Sequence, residues 1–223
     1  LDGAEIGGAR SLGAGRRTPG LVRRGIGVAP QGDAIFPGLS VRKHLECGAH
    51  TRAAWRDRKA RIDRIFDIFS GANVSISGVT IRNGAARNGA GIRNFGTLTI
   101  KDSIVENNVA SGEFDSVGGG IANAEGGDLT LDSVTVRNNS SEIHGGGLYS
   151  TDSTATIINS VFENNATQMD GGGISVFNGS LDMTGGAIRN NSADLDGGGL
   201  SMESAIVSLT EVSVSTNTAT EEG

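Results

Sequence analysis

The sequence is poor in the residues that usually hold a compact protein together. Its 223 residues include one cysteine, Cys47, three prolines and only 4% aromatic residues. A single cysteine excludes an internal disulfide framework. The 36 glycines show no Gly-X-Y triplet, which excludes collagen. So few aromatic residues disfavour an ordinary core-rich enzyme, and a stack of thin, repetitive layers fits this composition better.

Long hydrophobic runs are absent as well. No stretch reaches the roughly 18 consecutive apolar residues of a transmembrane helix. The chain opens with Leu1-Asp2-Gly3 and has no hydrophobic secretory segment. We therefore expect neither a membrane span nor a signal peptide, and we interpret the chain as a fragment cut at both ends.

Charge divides the chain into two parts. Residues 1–69 contain 13 Lys/Arg and 7 Asp/Glu, a net charge of +6, whereas residues 70–223 contain 6 and 18, a net charge of −12. This asymmetry predicts a domain boundary near residue 70. The basic residues are interleaved with apolar ones rather than clustered, so we do not expect nucleic-acid binding.

An eleven-residue phrase occurs six times in the acidic part. It alternates aliphatic and polar residues and starts 24, 31, 26, 26 and 26 residues apart. The copies are VSISGVTIRNG from Val74, LTIKDSIVENN from Leu98, LTLDSVTVRNN from Leu129, ATIINSVFENN from Ala155, LDMTGGAIRNN from Leu181 and VSLTEVSVSTN from Val207. Alternation with period two is typical of strands that bury one face.

A glycine run followed by an aliphatic residue lies between successive phrases. The runs start at Gly89, Gly118, Gly145, Gly171 and Gly197. We expect tight corners here, because glycine accepts positive φ. A phosphate-binding loop would need GxxxxGK[ST], which the chain lacks, and a calcium-binding roll would need a nine-residue period. A leucine-rich repeat has a similar length, but the glycine-rich segment is unsuited to its convex helix.

The repeat predicts an all-β fold: a right-handed parallel β-helix, with about 26 residues per coil and coils stacked about 4.8 Å apart. Equivalent positions should then stack into two aliphatic ladders. The first contains Ile76, Ile100, Leu131, Ile157, Met183 and Leu209, and the second contains Ile81, Val105, Val136, Phe162, Ile188 and Val214. The paired asparagines that end the phrases, such as Asn164-Asn165, should form turn ladders, since Asn tolerates left-handed backbone.

The GGGIxN, LTLxxSxVxxN and trailing NN motifs resemble the β-helix repeats of bacterial surface proteins, including polymorphic outer-membrane proteins and autotransporter-like passengers. The resemblance covers residues 73–217. It implies a secreted or surface-displayed, often adhesive, structural module.

The basic N-terminal part has a different pattern. Ile62, Ile65, Phe66 and Phe69 follow helical spacing, so residues 40–69 are predicted to be helical and the N-terminal fragment mainly so. The segments GVAPQG and IFPGLSV resemble the Q-loop region of ATP-binding subunits of branched-chain amino-acid ABC importers. The resemblance implies that Gln31 occupies the position that senses the nucleotide's metal and attacking water. It also implies a cytoplasmic location for this family, with a transporter membrane subunit as the partner if the fragment belonged to a complete ABC ATPase.

The rest of that ATPase machinery is missing from the chain. There is no Walker A lysine loop, no LSGGQ-type signature and no Walker B acidic pair, so we do not expect ATPase activity. The joined halves are interpreted as a fusion, either natural or produced by assembly of the gene sequence.

Three functions remain open at this point. The leading one is a non-catalytic structural or adhesive module whose partner is a surface glycan or a protein. The second is a carbohydrate-active, pectin-lyase-like enzyme, for which Asp170, Asp196 and His144 share a column before the glycine runs and are the candidate catalytic residues. The third is a fragment of an ABC importer ATPase.

Other polar residues give weaker indications. Tyr149 and Arg93 are expected to point outward and could contact a ligand. His44 and His50 flank Cys47 without a fourth ligand at zinc spacing, so no metal and no cofactor are expected.

Overall fold

The computed structural model describes residues 66–112 and 116–220, which form a parallel β-solenoid of six coils. Every strand pair in it is parallel, and from the third coil onward equivalent residues of the repeated phrase are 26 apart, as in Leu131 and Ile157. These described residues contain no helix. The predicted all-β parallel β-helix is confirmed.

Each coil contributes three or four short strands. The first three coils contain β1 (Phe66–Ile68), β2 (Asn73–Ser77), β3 (Thr80–Arg82) and β4 (Ala85–Ala86), then β5 (Ile92–Asn94), β6 (Thr97–Lys101), β7 (Ile104–Glu106) and β8 (Val109–Ala110), then β9 (Ile121–Ala124), β10 (Asp128–Asp132), β11 (Thr135–Arg137) and β12 (Ser140–Ser141). The last three contain β13 (Leu148–Thr151), β14 (Thr154–Glu163) and β15 (Ala166–Thr167), then β16 (Ile174–Phe177), β17 (Ser180–Arg189) and β18 (Ser192–Ala193), then β19 (Leu200–Glu203), β20 (Ile206–Thr210), β21 (Ser213–Ser215) and β22 (Thr218–Ala219).

Three sheets run along the solenoid. Sheet A consists of β1, β5, β9, β13, β16 and β19, and sheet C of β4, β8, β12, β15, β18 and β22. Sheet B contains the remaining ten strands, which are the two halves of each eleven-residue phrase. The sequence predicted the strands of the eleven-residue phrase, which form sheet B, and the strand after each glycine run, which belongs to sheet A. The two-residue strands of sheet C, which directly follow the paired asparagines, were not predicted.

Both predicted aliphatic ladders are confirmed. In the first, Ile157 pairs with Leu131 on one side and Met183 on the other. In the second, Phe162 pairs with Val136 and Ile188. All of these interior side chains are at most 1% exposed. Since burial of one such aliphatic side chain contributes about 1.5–3 kcal/mol, the ladders provide the main stabilisation of the stack.

A residue with left-handed backbone occupies most of the corners. Sheet B bends at Gly78, Asp102, Ser133, Asn159, Gly185 and Glu211, whose φ angles lie between 46° and 68°. The first residue of each Asn pair turns the chain from sheet B to sheet C, as Asn164 does with φ 55°. The first glycine of each run turns it back to sheet A. Asn, Asp and Gly accept this conformation at the lowest cost, which explains their repetition.

The three glycines of a run are required for different reasons. In the fourth coil, Gly145 has a φ of 64°. A Cβ on Gly146 would lie 2.4 Å from the carbonyl oxygen of Ala166, and one on Gly147 would lie 2.5 Å from that of Gly173. The first glycine therefore permits the turn, while the other two allow successive coils to approach each other.

The second residue of each Asn pair belongs to a buried hydrogen-bonded ladder. Asn165 is 1% exposed and uses its whole side chain. Its Oδ1 accepts from the backbone N and the Nδ2 of Asn139, and its Nδ2 donates to the Val136 carbonyl and to Asn191 Oδ1, each at 3.0 Å. The predicted turn ladders are thus confirmed, with the first Asn bending the backbone and the second joining the coils.

The predicted helix over residues 40–69 is wrong at its C-terminal end. Phe66–Ile68 form β1, in which Ile68 is buried and Asp67 points outward. Phe66 fits a period of two with Ile68 and also fits the helical stripe, and pairing with β5 decides between the two patterns. Phe69, expected on the apolar stripe, is 67% exposed. The rest of the predicted helix lies outside the described residues.

The register can be tested with one charge placed at two neighbouring positions. Ile157 is fully buried and Thr156 is exposed. Ile157→Asp is expected to lower the melting temperature strongly, because an unpaired buried charge costs several kcal/mol. Thr156→Asp should leave the melting temperature nearly unchanged, and equal melting temperatures for the two variants would contradict the register.

The asparagine ladder provides a second matched pair of substitutions. Asn165→Asp replaces two donated hydrogen bonds by a buried carboxylate that faces two acceptor oxygens. We expect the free energy of unfolding to fall by about 3 kcal/mol or more. Asn164→Asp adds the same charge at an exposed left-handed position that Asp also tolerates, so a change within about 0.5 kcal/mol is expected. Chemical denaturation of both variants measures the difference.

Candidate functional site

The predicted column of His144, Asp170 and Asp196 lies at the corner between sheets C and A. Backbone bridges connect Asn88, Val117, His144 and Asp170 in successive coils. One carboxylate oxygen of Asp170 accepts a hydrogen bond from the Asp196 backbone N–H at 3.1 Å. The other lies 3.3 Å from His144 Nδ1. This contact does not count as a hydrogen bond, so His144 Nδ1 is buried without a hydrogen-bonding partner. The two atoms are still close enough for electrostatic attraction if the ring is protonated.

A second outward-facing column lies beside the first one on sheet A. Tyr149 pairs with Ser175, and Ser175 with Ser201. A large side chain is thus followed by two small ones, which leaves a depression beyond the tyrosine ring. The ring stacks on His144, with centroids 6.0 Å apart and an interplanar angle of 16°. Tyr149 and His144 therefore form the wall that closes the depression towards the N-terminal coils.

A third outward-facing column of sheet A borders the depression on the side away from His144. Thr151 pairs with Phe177, and Phe177 with Glu203. Phe177 is 40% exposed, and Glu203 is exposed one coil further on. Together the columns form an open groove of about 180 Å³ whose lining includes His144, Tyr149, Asp170, Ser175, Phe177 and Glu203. We call it the tyrosine groove.

The tyrosine groove combines aromatic, hydroxyl and acidic groups in a small area. Ser175 and Ser201 supply hydroxyls between the aromatic rings, while Asp170 and Glu203 supply negative charge. No lysine or arginine lines the groove. It therefore suits a neutral, polyhydroxylated or cationic ligand better than an anionic one.

Arg93, the other side chain expected to contact a ligand, does not reach the tyrosine groove. It lies in the same outward column as Tyr149, but Ala122 of the intervening coil separates them. Arg93 Nε donates to Asp67 at 2.7 Å, and its guanidinium lies 5.2 Å from the centre of the Phe95 ring. These contacts place it in the surface packing of the first two coils.

A second concave surface lies on sheet C and was not predicted from the sequence. The open surface encloses about 270 Å³. Its lining includes the small residues Ser140, Ala166 and Ser192, flanked by Glu142, Gln168 and Asp194. The sequence feature that marks this surface is the small residue directly after each Asn pair. This feature predicts nothing by itself, because sheet C is not visible in the sequence pattern. This surface has no aromatic ring and offers a ligand fewer anchoring contacts than the tyrosine groove.

Several sequence-predicted positions lie outside the described residues. They include Gln31 of the ABC-like segment and the His44, Cys47 and His50 cluster. Within residues 66–112 and 116–220, no three His, Cys, Asp or Glu side chains converge as a metal site. The same part of the chain has no helix long and apolar enough to cross a bilayer.

Comparison with known proteins leaves the chain without a family assignment. No protein-family model matches it, and no curated protein or solved structure is significantly similar to it. The functional argument therefore depends on the geometry of the grooves.

Proposed function

We propose that the solenoid is a non-catalytic structural module that binds carbohydrate in the tyrosine groove. The observation that carries the proposal is the combination of Tyr149 and Phe177 with a floor of serine hydroxyls and a rim of carboxylates. The resemblance of the repeats to those of bacterial surface proteins supports an adhesive role at the cell surface or outside the cell. Residues 1–65 take no part in this proposal.

A neutral sugar fits the chemistry of the groove. The C–H face of a pyranose ring can pack on Tyr149 and Phe177, since aromatic side chains bury large apolar areas at low entropic cost. Its hydroxyls can then donate hydrogen bonds to Asp170 and Glu203, and such bonds to a charged acceptor are stronger than bonds between neutral groups. The serine hydroxyls can both donate to the sugar and accept from it. An acidic polysaccharide would meet like charges and no basic residue.

The contacts of Asp170 support binding rather than cleavage. Glycoside hydrolysis needs one carboxyl group held protonated in an apolar or like-charged setting while a second stays ionised. One oxygen of Asp170 accepts a hydrogen bond from the backbone of residue 196, and Asp196 is exposed to solvent. Neither aspartate therefore has the apolar or like-charged setting that hydrolysis needs, so binding is favoured over cleavage.

Calorimetric titration with neutral tetrasaccharides, such as those of cellulose, starch and chitin, tests the proposal. We expect at least one to bind, and polygalacturonate oligomers to bind less. Tyr149→Ala should weaken that binding at least about tenfold, because truncation of an aromatic anchor removes more than about 1.4 kcal/mol. Tyr149→Phe should retain most of it.

Phe69→Ala is the matched control for loss of an exposed aromatic ring outside the groove. It should bind as the unaltered chain does. Equal affinities of Tyr149→Ala and the unaltered chain, with both folded, would exclude the tyrosine groove as the binding site.

The carbohydrate-active alternative is tested by Asp170→Asn combined with Asp196→Asn. The melting temperature should hold, because Asn also suits these turns and can accept the bond from the residue 196 backbone. Sugar binding should change by less than about tenfold, since replacing one charged acceptor by a neutral one costs about 1 kcal/mol. Release of reducing ends by the unaltered chain, lost in the double variant, would establish an enzyme instead.

A further inference from the structure

Asparagine followed by glycine occurs three times, at Asn83-Gly84, Asn88-Gly89 and Asn178-Gly179. In such a dipeptide the backbone nitrogen of the glycine can attack the side-chain amide of the asparagine, because glycine adds no side chain that hinders the approach and accepts many backbone conformations. The attack requires a backbone nitrogen free of hydrogen bonds and a peptide plane free to rotate. The three dipeptides differ in both respects.

The fold restrains the first two dipeptides. Gly84 is buried, and its N–H donates to the Asn108 side-chain oxygen at 2.9 Å. Gly89 is buried as well, and its N–H donates to the Val117 carbonyl at 3.0 Å. Asn108 belongs to the buried asparagine ladder, so freeing the Gly84 nitrogen requires neighbouring coils to separate. We therefore expect both nitrogens to be held back from reaction in the folded chain.

The third dipeptide forms the corner between β16 and β17 and is not restrained in this way. Asn178 is exposed, with a φ of 48°, and Gly179 is half-buried. Among the hydrogen bonds of residues 66–112 and 116–220, none involves the Gly179 N–H or the Asn178 carbonyl. The peptides on either side are anchored, since the Asn178 N–H donates to the Glu203 carbonyl at 3.0 Å and the Ser180 N–H to the Ser153 carbonyl at 3.1 Å. One peptide plane can thus rotate between two fixed ones.

This free peptide is a property of the corner, because a coil lies on each side of it. Asp152 and Ser204 occupy the equivalent positions in the coils before and after, and their φ angles are 48° and 51°. A Cβ on Gly179 would lie 2.5 Å from the Ser153 carbonyl oxygen, so the coil needs glycine here. The asparagine side chain is held only by an exposed hydrogen bond that its Nδ2 donates to Asp152. Such a bond contributes little and opens readily to water.

We propose that Asn178 is a site of spontaneous deamidation. The Gly179 backbone nitrogen loses its proton to solvent and bonds to Cγ of Asn178. The bond from Cγ to Nδ2 breaks, and the nitrogen takes up protons from solvent and leaves as ammonia. Water then opens the resulting succinimide ring at either of its carbonyls, which leaves aspartate or isoaspartate at position 178. The net reaction consumes water, releases ammonia and involves no oxidation.

The reaction changes the surface next to the tyrosine groove. Its product places a second carboxylate beside Asp152, where the asparagine had donated a hydrogen bond. Isoaspartate also adds a backbone carbon to the corner that directly follows Phe177. The proposal itself rests on the backbone contacts of the corner and is independent of sugar binding.

Peptide mapping by mass spectrometry tests the proposal on the full chain. The folded protein is incubated in mildly alkaline buffer, which favours loss of the proton from the attacking nitrogen, and is digested at acidic pH after increasing times. We expect Asn178 to deamidate at least about tenfold faster than Asn83 or Asn88, which corresponds to a difference of about 1.4 kcal/mol in activation free energy. In denaturant the three sites should react at similar rates, because the hydrogen bonds that protect the first two are lost.

Asn178→Gln is the matched control, since it keeps an uncharged amide but lengthens the side chain so that the favoured ring cannot form. This variant should lose the isoaspartate that enzymatic methylation detects at position 178 in the unaltered chain. Equal rates at the three sites in the folded chain would overturn the proposal. So would a rate at Asn178 that rises more than about tenfold in denaturant, because the fold would then protect this site as well. Melting curves recorded during the incubation show that the chain reacts while folded.

Discussion

Register between successive coils is the constraint on which the whole molecule depends. Backbone hydrogen bonds connect each strand to its equivalents in the coils before and after it, so a slip by one residue would turn every inward side chain outward. The asparagine ladder opposes such a slip most directly, because each buried amide must find both the next amide and a specific carbonyl. For Asn165 all four hydrogen-bonding positions of the side chain are used, and no shifted alignment would satisfy them.

Charge on the outside reinforces the same register. On sheet B, one outward column alternates in sign from coil to coil and consists of Arg82, Glu106, Arg137, Glu163 and Arg189. Nitrogen and oxygen atoms of the pairs Arg137–Glu106 and Arg189–Glu163 are 2.8 Å and 2.7 Å apart. Partly exposed ion pairs contribute little stability. Their alternation is still informative, since stacking any coil on the next but one would bring like charges together. The interior ladders supply stability, and this column adds selectivity for the correct neighbour.

Regular stacking also explains where the length of the repeat can vary. The phrase starts from Leu98 and Leu129 are 31 residues apart instead of 26. Four of the five extra residues fall in the corner between β8 and β9, and one falls in the turn between β9 and β10. The strands on either side keep their pairing, as Ile92 with Ile121 and Val109 with Ser140 show. A corner insertion adds only a small loop-closure entropy, whereas an extra residue within a strand would break the register.

The sequence alone predicted the interior well and the outer surface poorly, for physical reasons. Inward positions such as Ile157 and Asn165 experience the same surroundings in each coil, so the same residue type returns and the period becomes visible. Sheet C contributes two residues per coil with small side chains, and no pattern separates them from a loop. Phe66 belongs to two patterns at once, and only pairing with Ile92 distinguishes them.

The tyrosine groove illustrates why outward positions resist prediction. It exists because Tyr149 is followed in its column by Ser175 and Ser201, and because Phe177 follows Thr151 in the next column. These residues are far apart in sequence and do not follow the repeat pattern. Their proximity therefore becomes visible only when the coils are stacked in register. Outward side chains also contribute little to the stability of the stack. A solenoid can therefore change the shape and charge of such a groove, and hence its ligand, while the ladders that hold the fold stay the same.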